Sequence, residues 1–400
     1  MFDCIYLSIP QWPSDFLACR RFLHSRRRIH IEVLCRIGYG SYEKDYNFKE
    51  ELMKEIIAYL DDNKVWEKED IAAEKLTIIN YAFANIQGLT IVRDLKKIHL
   101  INELKAEHPH LRSCISIGGW SADGFSDGVA TKENRVVLIA NLVAYMEKYH
   151  FDGIDLDWEY PGMDLAGIKA SPDDAQNFLY FVKELRQALD KQGAETGKYY
   201  LLTAAIGAAK KLLDTMSPNE AYEYADYLDF INVMTYDMRG SFTHQAGHHT
   251  NLASYPDGDL SVMQAVNNLR AKGVPNEKIV IGAAFYSRIW RGFPADTAMP
   301  VGALAEGTGG ETNNYNQLKP LFETHPENLY WDEAAHAPYY FDGKMYLSFD
   351  NLRSMREKAQ YILAEDLRGL MFWEYSLDLT GDLLGAAAEV LQASRETEMK

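Results

Sequence analysis

The sequence predicts a closed (β/α)8 barrel with a small α+β insertion between its seventh and eighth strands. Three observations carry this. Strand-like and helix-like segments alternate from about residue 36 to residue 390, the order that builds a mainly parallel sheet covered by helices. Eight strand candidates are found, the number a closed barrel requires. The chain of 400 residues is long enough for one such barrel plus an insertion. An open doubly wound sheet is the fallback, weakened because no GxGxxG follows the first strand candidate.

Each strand candidate is short, β-branched or apolar, and mostly bounded by Gly, Pro or polar residues. They fall at residues 33–39, 76–83, 112–118, 151–159, 199–206, 227–236, 278–285 and 368–373. Amphipathic stretches at 51–63, 134–149, 173–191 and 260–272 are expected to be helices. Residues 290–347 are too many for one crossover helix. They contain Gly302, Gly307, Gly309 and Gly310 and strand-like runs at 339–341 and 344–347. The expected organisation is therefore an N-terminal extension of unknown role (1–35), a barrel (36–289 and 348–400) and an α+β insertion (290–347) that would wall one side of a cleft.

The formal charge of −17 would repel a phosphate backbone and argues against a nucleic-acid partner. An uncharged polymer is compatible with it. No apolar run is long enough to span a bilayer, and a membrane partner is not expected. Aromatic residues make up 12% of the chain, enough both for core filling and for stacking on sugar rings. Cys4, Cys19, Cys35 and Cys114 show no CxxC pair, and the three full disulfide pairings they allow stay open. The first 35 residues hold Arg20-Arg21 and Arg26-Arg27-Arg28, and their apolar stretch at 4–9 ends at Pro10, too short for a clear secretion signal.

The segment Phe151-Asp152-Gly153-Ile154-Asp155-Leu156-Asp157-Trp158-Glu159-Tyr160-Pro161 is the most informative. Strand side chains alternate between two faces. Ile154, Leu156 and Trp158 share one face, suited to a helical shell. Asp155, Asp157 and Glu159 share the other, and would point into the barrel, stacked toward its C-terminal mouth. Barrel interiors are normally apolar. Carboxyls placed there must share protons and hydrogen bonds, and mutual repulsion should raise at least one pKa. A half-exposed strand or a Mg²⁺ or Ca²⁺ site would be the alternatives. No matched His or phosphate loop accompanies the acids, and neither a metal nor another cofactor is expected.

The pattern Asp152-x-x-Asp155-x-Asp157-x-Glu159 resembles the signature of family 18 glycoside hydrolases, the chitinases. Ser116-Ile117-Gly118-Gly119-Trp120 resembles that family's third-strand motif, Met234-Thr235-Tyr236-Asp237 its sixth, Phe285-Tyr286-Ser287-Arg288-Ile289-Trp290 its seventh and Gly369-Leu370-Met371-Phe372-Trp373 its last. Trp331 to Tyr339 and Leu347 to Asp350 resemble the family's insertion and its exit. The resemblance implies hydrolysis of chitin or chito-oligosaccharides by a retaining mechanism in which the substrate's own acetamido group attacks. It implies Glu159 as general acid and base, Asp157 as partner of the acetamido group, Asp155 as sharer of its proton and Tyr236 as donor to the acetamido oxygen. It further implies Trp373 as floor of the cleaved sugar. Asp237, Met234, Phe83, Gly119, Tyr160, Tyr286 and Arg288 become cleft residues, and Trp120 a platform beyond the cleaved bond. Tyr39 and Ser116 would support the inner aspartate, whereas Asp152 has the wrong parity for the cleft and is expected to be structural.

Several positions depart from the family pattern. Ser287 stands where glycine is common, Phe242 where a tryptophan often stacks, and Tyr39-Gly40 lacks a second aromatic. These bear on substrate length rather than on the reaction. The group His244, His248, His249 is not expected to bind metal. The resemblance also implies a secreted monomer. A silent sugar-binding protein and an endo-β-N-acetylglucosaminidase acting on N-glycans are the competing readings.

Overall fold

The computed structural model describes residues 54–254 and 260–398, together with two earlier strand segments. Those two segments, Phe16–Arg21 and His30–Cys35, pair antiparallel with Phe16 opposite Cys35. The remainder forms a separate compact unit from Lys54 onward.

In that unit eight parallel strands close on themselves. They are β1 (Glu55–Asp61), β2 (Ile78–Gln87), β3 (Arg112–Gly118), β4 (Gly153–Asp157), β5 (Leu201–Gly207), β6 (Phe230–Met234), β7 (Ile279–Ala284) and β8 (Gly369–Trp373). Each pairs with its sequence neighbour in the set, and β8 returns to β1 with Gly369 opposite Glu55. Helices such as Lys132–Lys148, Asp174–Thr196, Val262–Ala271 and Leu352–Ala364 lie between the strands in sequence, as a right-handed β–α–β crossover demands.

The first strand is a correction to the sequence reading. It was expected at residues 33–39, but His30–Cys35 belongs to the antiparallel pair and residues 36–39 lie outside the described residues. β1 instead occupies part of the stretch 51–63, expected to be a helix. Its residues Ile56, Ile57, Ala58, Tyr59 and Leu60 are all buried. A strand covered on both faces is a continuous apolar run, which periodicity does not separate from a buried helix.

Between β7 and β8 the chain forms a four-stranded antiparallel sheet. Its spatial order is Arg288–Arg291, Met345–Ser348, Ala337–Phe341, Leu329–Asp332, and the same segment holds the helix Tyr315–Thr324. Trp290, Phe341, Tyr346, Ala246 and Ala305 form its small core.

The exit of this insertion is tied to the barrel by an ion pair with no solvent exposure. Lys358 Nζ lies 2.9 and 2.7 Å from the two oxygens of Asp350 and donates to Thr250 Oγ1 at 2.7 Å. Asp350 also accepts the Ala284 amide at 3.0 Å and the Ser354 hydroxyl at 2.7 Å. Removing one partner of such a pair leaves an uncompensated buried charge. Lys358→Met is therefore expected to cost about 3–5 kcal/mol of stability, read as a lowered urea midpoint at unchanged slope. A midpoint equal to wild type would show that the pair does not hold the two parts together.

Candidate active site

β4 supplies the acids. Ile154, Leu156 and Trp158 belong to the core between sheet and helices. There Trp158 stacks on Phe125 at 5.2 Å and meets Phe178 edge-on at 6.2 Å. Strand alternation then sends Asp155 and Asp157 into the barrel, where both are buried.

Asp155 is the deepest and is held from four other strands of the barrel. Its Oδ2 accepts from Tyr59 on β1 and Ser116 on β3, each at 2.8 Å; its Oδ1 accepts from Thr203 on β5 at 2.6 Å and Asn232 on β6 at 3.1 Å. Burial raises its pKa, and these four hydrogen bonds pull it back part of the way. Asp157 sits one step nearer the mouth, with Oδ1 buried and without a hydrogen-bond partner. Burial, then the charges of Glu159 and Asp155, push its pKa well above the carboxylate range. The sharing of a proton expected between these two is not a direct hydrogen bond here. Both Asp155 oxygens are occupied by donors, and Asp155 acts on Asp157 through charge.

Glu159 stands at the mouth, where its Oε2 accepts from the Tyr160 hydroxyl at 3.1 Å. Burial pushes its pKa up to about 7; the Tyr160 hydrogen bond opposes this and the charge of Asp237 adds to it. Asp237 has φ of 52° and takes a bidentate pair from Arg288, 2.6 Å to each oxygen. Burial alone would raise its pKa, but contacts with His249 and Arg288 outweigh it and hold the carboxyl low.

These groups open into a cleft of about 1270 Å³. Of the residues the sequence singled out, Glu159, Asp157, Tyr160, Tyr236, Asp237, Met234, Phe83, Gly119, Trp120, Tyr286, Arg288 and Trp373 line it. Trp373 stacks on Phe83 at 5.3 Å and 19°. The Tyr236 ring meets Tyr286 edge-on at 6.3 Å. Gly118 has φ of 114°, and a Cβ there would lie 2.1 Å from the Asp157 carbonyl oxygen, so only glycine lets β3 pass this close to the acids. The next residue, Gly119, donates its amide to that same carbonyl at 2.9 Å.

Asp155 and Ser116 lie beneath the cleft rather than in its wall. Asp152 is elsewhere, accepting the Ser113 amide at 2.9 Å and pairing with Lys105 at 2.6 Å near the start of β4. Tyr39 lies outside the described residues. The tyrosine that holds the inner aspartate is Tyr59, missed because its strand was read as a helix. Thr203 and Asn232 were missed as well. Their signal was a lone hydrogen-bonding residue within otherwise apolar strands, Leu-Leu-Thr-Ala-Ala and Phe-Ile-Asn-Val-Met. The three histidines turn to different partners: His244 to the Glu306 carbonyl, His248 to Asp332 and His249 to Asp237. Cys114 is a buried free thiol, whereas the side chains of Cys4, Cys19 and Cys35 lie outside the described residues.

Residues 55–378 match the family described as Glycosyl hydrolases family 18. Chitinase A1 of Niallia circulans is 35% identical over 303 residues, a match covering 70% of this chain and 42% of that protein. The chain thus spans less than half the length of this relative. Among solved structures, a glycoside hydrolase family 18 N-acetylglucosaminidase from Paenibacillus barengoltzii superposes with a TM-score of 0.79 at 41% identity, covering 84% of this chain and 99% of that one. A group IV chitinase of Ostrinia furnacalis in complex with allosamidin gives 0.77 at 27% identity, over 85% and 99% of the two chains. With a match from β1 through the end of β8, carrying every barrel strand and the acidic cluster of β4, the chain belongs to glycosyl hydrolase family 18.

Proposed function

We propose that the protein is a chitinase that hydrolyses the β-1,4 bonds between N-acetylglucosamine units of chitin or chito-oligosaccharides. The observation that carries this reading is the graded stack Asp155, Asp157, Glu159. It ends in an acid with a pKa of about 7, beside the stacked Trp373–Phe83 pair on which a sugar can rest.

Glu159 in its protonated form gives its proton to the glycosidic oxygen, and the bond from that oxygen to the anomeric carbon breaks. The acetamido carbonyl oxygen of the same sugar attacks the anomeric carbon from the opposite face and closes an oxazolinium ring. Water then adds from the side the leaving group vacated. Its proton passes to the Glu159 carboxylate, the ring opens, and configuration is retained. Asp157, which lines the cleft beside Glu159, accepts the acetamido N–H. The hydroxyl of Tyr236, a half-buried cleft residue, donates to the acetamido oxygen. Arg288 and Tyr286 contact sugar hydroxyls. No described helix is long and apolar enough to cross a membrane; secretion as a monomer is part of this proposal.

Replacing Glu159 by Gln is expected to preserve fold and oligosaccharide binding and to lower the rate by about 10²- to 10⁴-fold, measured on fluorogenic chitobiose and chitotriose glycosides. A variant that keeps half the activity would remove Glu159 from the reaction. Tight binding by wild type without any turnover would leave a sugar-binding protein.

The pH dependence follows from the same acid. Glu159 is protonated, and able to donate, below about pH 7; above that it is a carboxylate and the first step fails. The alkaline limb of kcat/KM is therefore expected near pH 7. The negative charge of Asp237 raises the Glu159 pKa, so Asp237→Asn should move that limb to lower pH. A limb that stays in place or moves upward would exclude this coupling.

A further inference from the structure

Ser287 stands just beyond β7, at the position where the sequence departs from the glycine common in the family. It is fully buried and takes no part in the chemistry described above. What it touches is the segment 311–315, which leads into the helix Tyr315–Thr324.

That segment runs antiparallel to residues 285–289 as a short ladder. The Tyr315 amide donates to the Phe285 carbonyl, the Ser287 amide to the Asn313 carbonyl and the Ile289 amide to the Glu311 carbonyl, each at 2.9 Å. Tyr286 lies opposite Asn314 and Ile289 opposite Glu311, so Thr312 lies opposite Arg288. Arg291 fixes the start of the segment with a bidentate pair to Glu311 at 2.7 and 2.8 Å. In a regular antiparallel ladder the Asn313 amide would return a bond to the Ser287 carbonyl. Here the Ser287 hydroxyl receives that amide at 3.3 Å and reaches the Asn313 carbonyl at 3.4 Å. A glycine at 287 would take this tie away.

Alternation gives the segment two faces. Asn313 and Tyr315 share one, Thr312 and Asn314 the other. Thr312 and Asn314 line the cleft beside Arg288 and Tyr286, whereas Ser287, Asn313 and Tyr315 do not. Two of these four cleft side chains are already committed. Arg288 clamps Asp237, and Asn314 forms a capping box with Gln317 at the start of the helix. Thr312 is exposed and carries a hydroxyl that can both donate and accept.

We propose that Thr312 is a substrate-binding residue that bonds a sugar hydroxyl, and that Ser287 is the positioning residue that holds Thr312 at the cleft wall. This rests on the reading of the cleft as chitin-hydrolysing. The backbone under Thr312 is fixed before the sugar arrives, so little order is lost on binding. The contact involves no reacting atom and is equal in ground and transition state, so it sets KM and not kcat.

The test is kcat and KM on the fluorogenic chitotriose glycoside for wild type, Thr312→Val, Ser287→Ala and the double variant. Thr312→Val keeps the shape of an exposed side chain and removes only its hydroxyl. It is expected to raise KM by about two- to tenfold at unchanged kcat. Ser287→Ala removes the tie without adding backbone freedom and is expected to raise KM in the same range. In the Thr312→Val background it should add nothing, because the hydroxyl through which it acts is already gone. An equal factor in both backgrounds would mean that Ser287 acts on the fold at large and would overturn its assignment. An unchanged KM for Thr312→Val would overturn the contact while leaving chitin hydrolysis intact. Absence of turnover by wild type would overturn the underlying reading with it.

Discussion

The architecture turns on one buried carboxylate. Asp155 lies in the interior of the barrel, where a lone charge costs several kcal/mol even after relaxation. Four donors from β1, β3, β5 and β6 converge on its two oxygens, and hydrogen bonds to a charged group contribute roughly 1.5–3 kcal/mol each. The sum is of the order needed to offset desolvation. It also explains why one inward layer of the barrel is polar, with Tyr59, Ser116, Thr203 and Asn232 where branched apolar residues would otherwise pack. Apolar residues such as Ile57, Ile78, Leu201, Phe230 and Val280 fill the layers around it.

From that fixed charge the electrostatics are graded outward. Asp157 feels Asp155 below and Glu159 above, and its own burial acts in the same direction. Protonation is its relief, and its buried Oδ1 is left without a hydrogen-bond partner. Glu159, partly open to the cleft, receives a smaller upward shift and ends near neutrality. Two carboxyls one strand step apart thus acquire different proton affinities, set by burial and by the charges around them. Asp237 completes the set from β6. Arg288, at the start of the insertion sheet, clamps it as a carboxylate, so the insertion takes part in the electrostatics of the barrel mouth as well as walling the cleft.

Close approach of backbone is the second requirement. β3 can lie against the acids because Gly118 has no Cβ to strike the Asp157 carbonyl. The Gly119 amide bonds that carbonyl and seats the chain that carries Trp120 to the rim. At Gly119 an added Cβ would lie 2.9 Å from the Phe83 ring, so glycine leaves room for Phe83 where it stacks on Trp373. A glycine pair on one strand therefore positions both the catalytic strand and the platform under the sugar.

The sequence alone determined what depends on local order along the chain. The alternation of β4 placed Ile154, Leu156 and Trp158 against the helices and three acids inward, because side-chain parity in a strand is a property of consecutive residues. Strands β2 to β8 were legible for the same reason, as short apolar or β-branched runs mostly bounded by Gly, Pro or polar residues. The exception was β1. Buried on both faces, it carries no period that distinguishes strand from helix, and with it Tyr59 was lost and its role assigned to Tyr39. Only the tertiary structure decided which donors meet at Asp155, since Tyr59, Ser116, Thr203 and Asn232 are tens to more than a hundred residues apart and are brought together by closure of the barrel. It alone decided that Trp66 faces the core while Lys64 faces the cleft, because the direction a loop side chain takes is set by what packs against it and not by its neighbours in sequence.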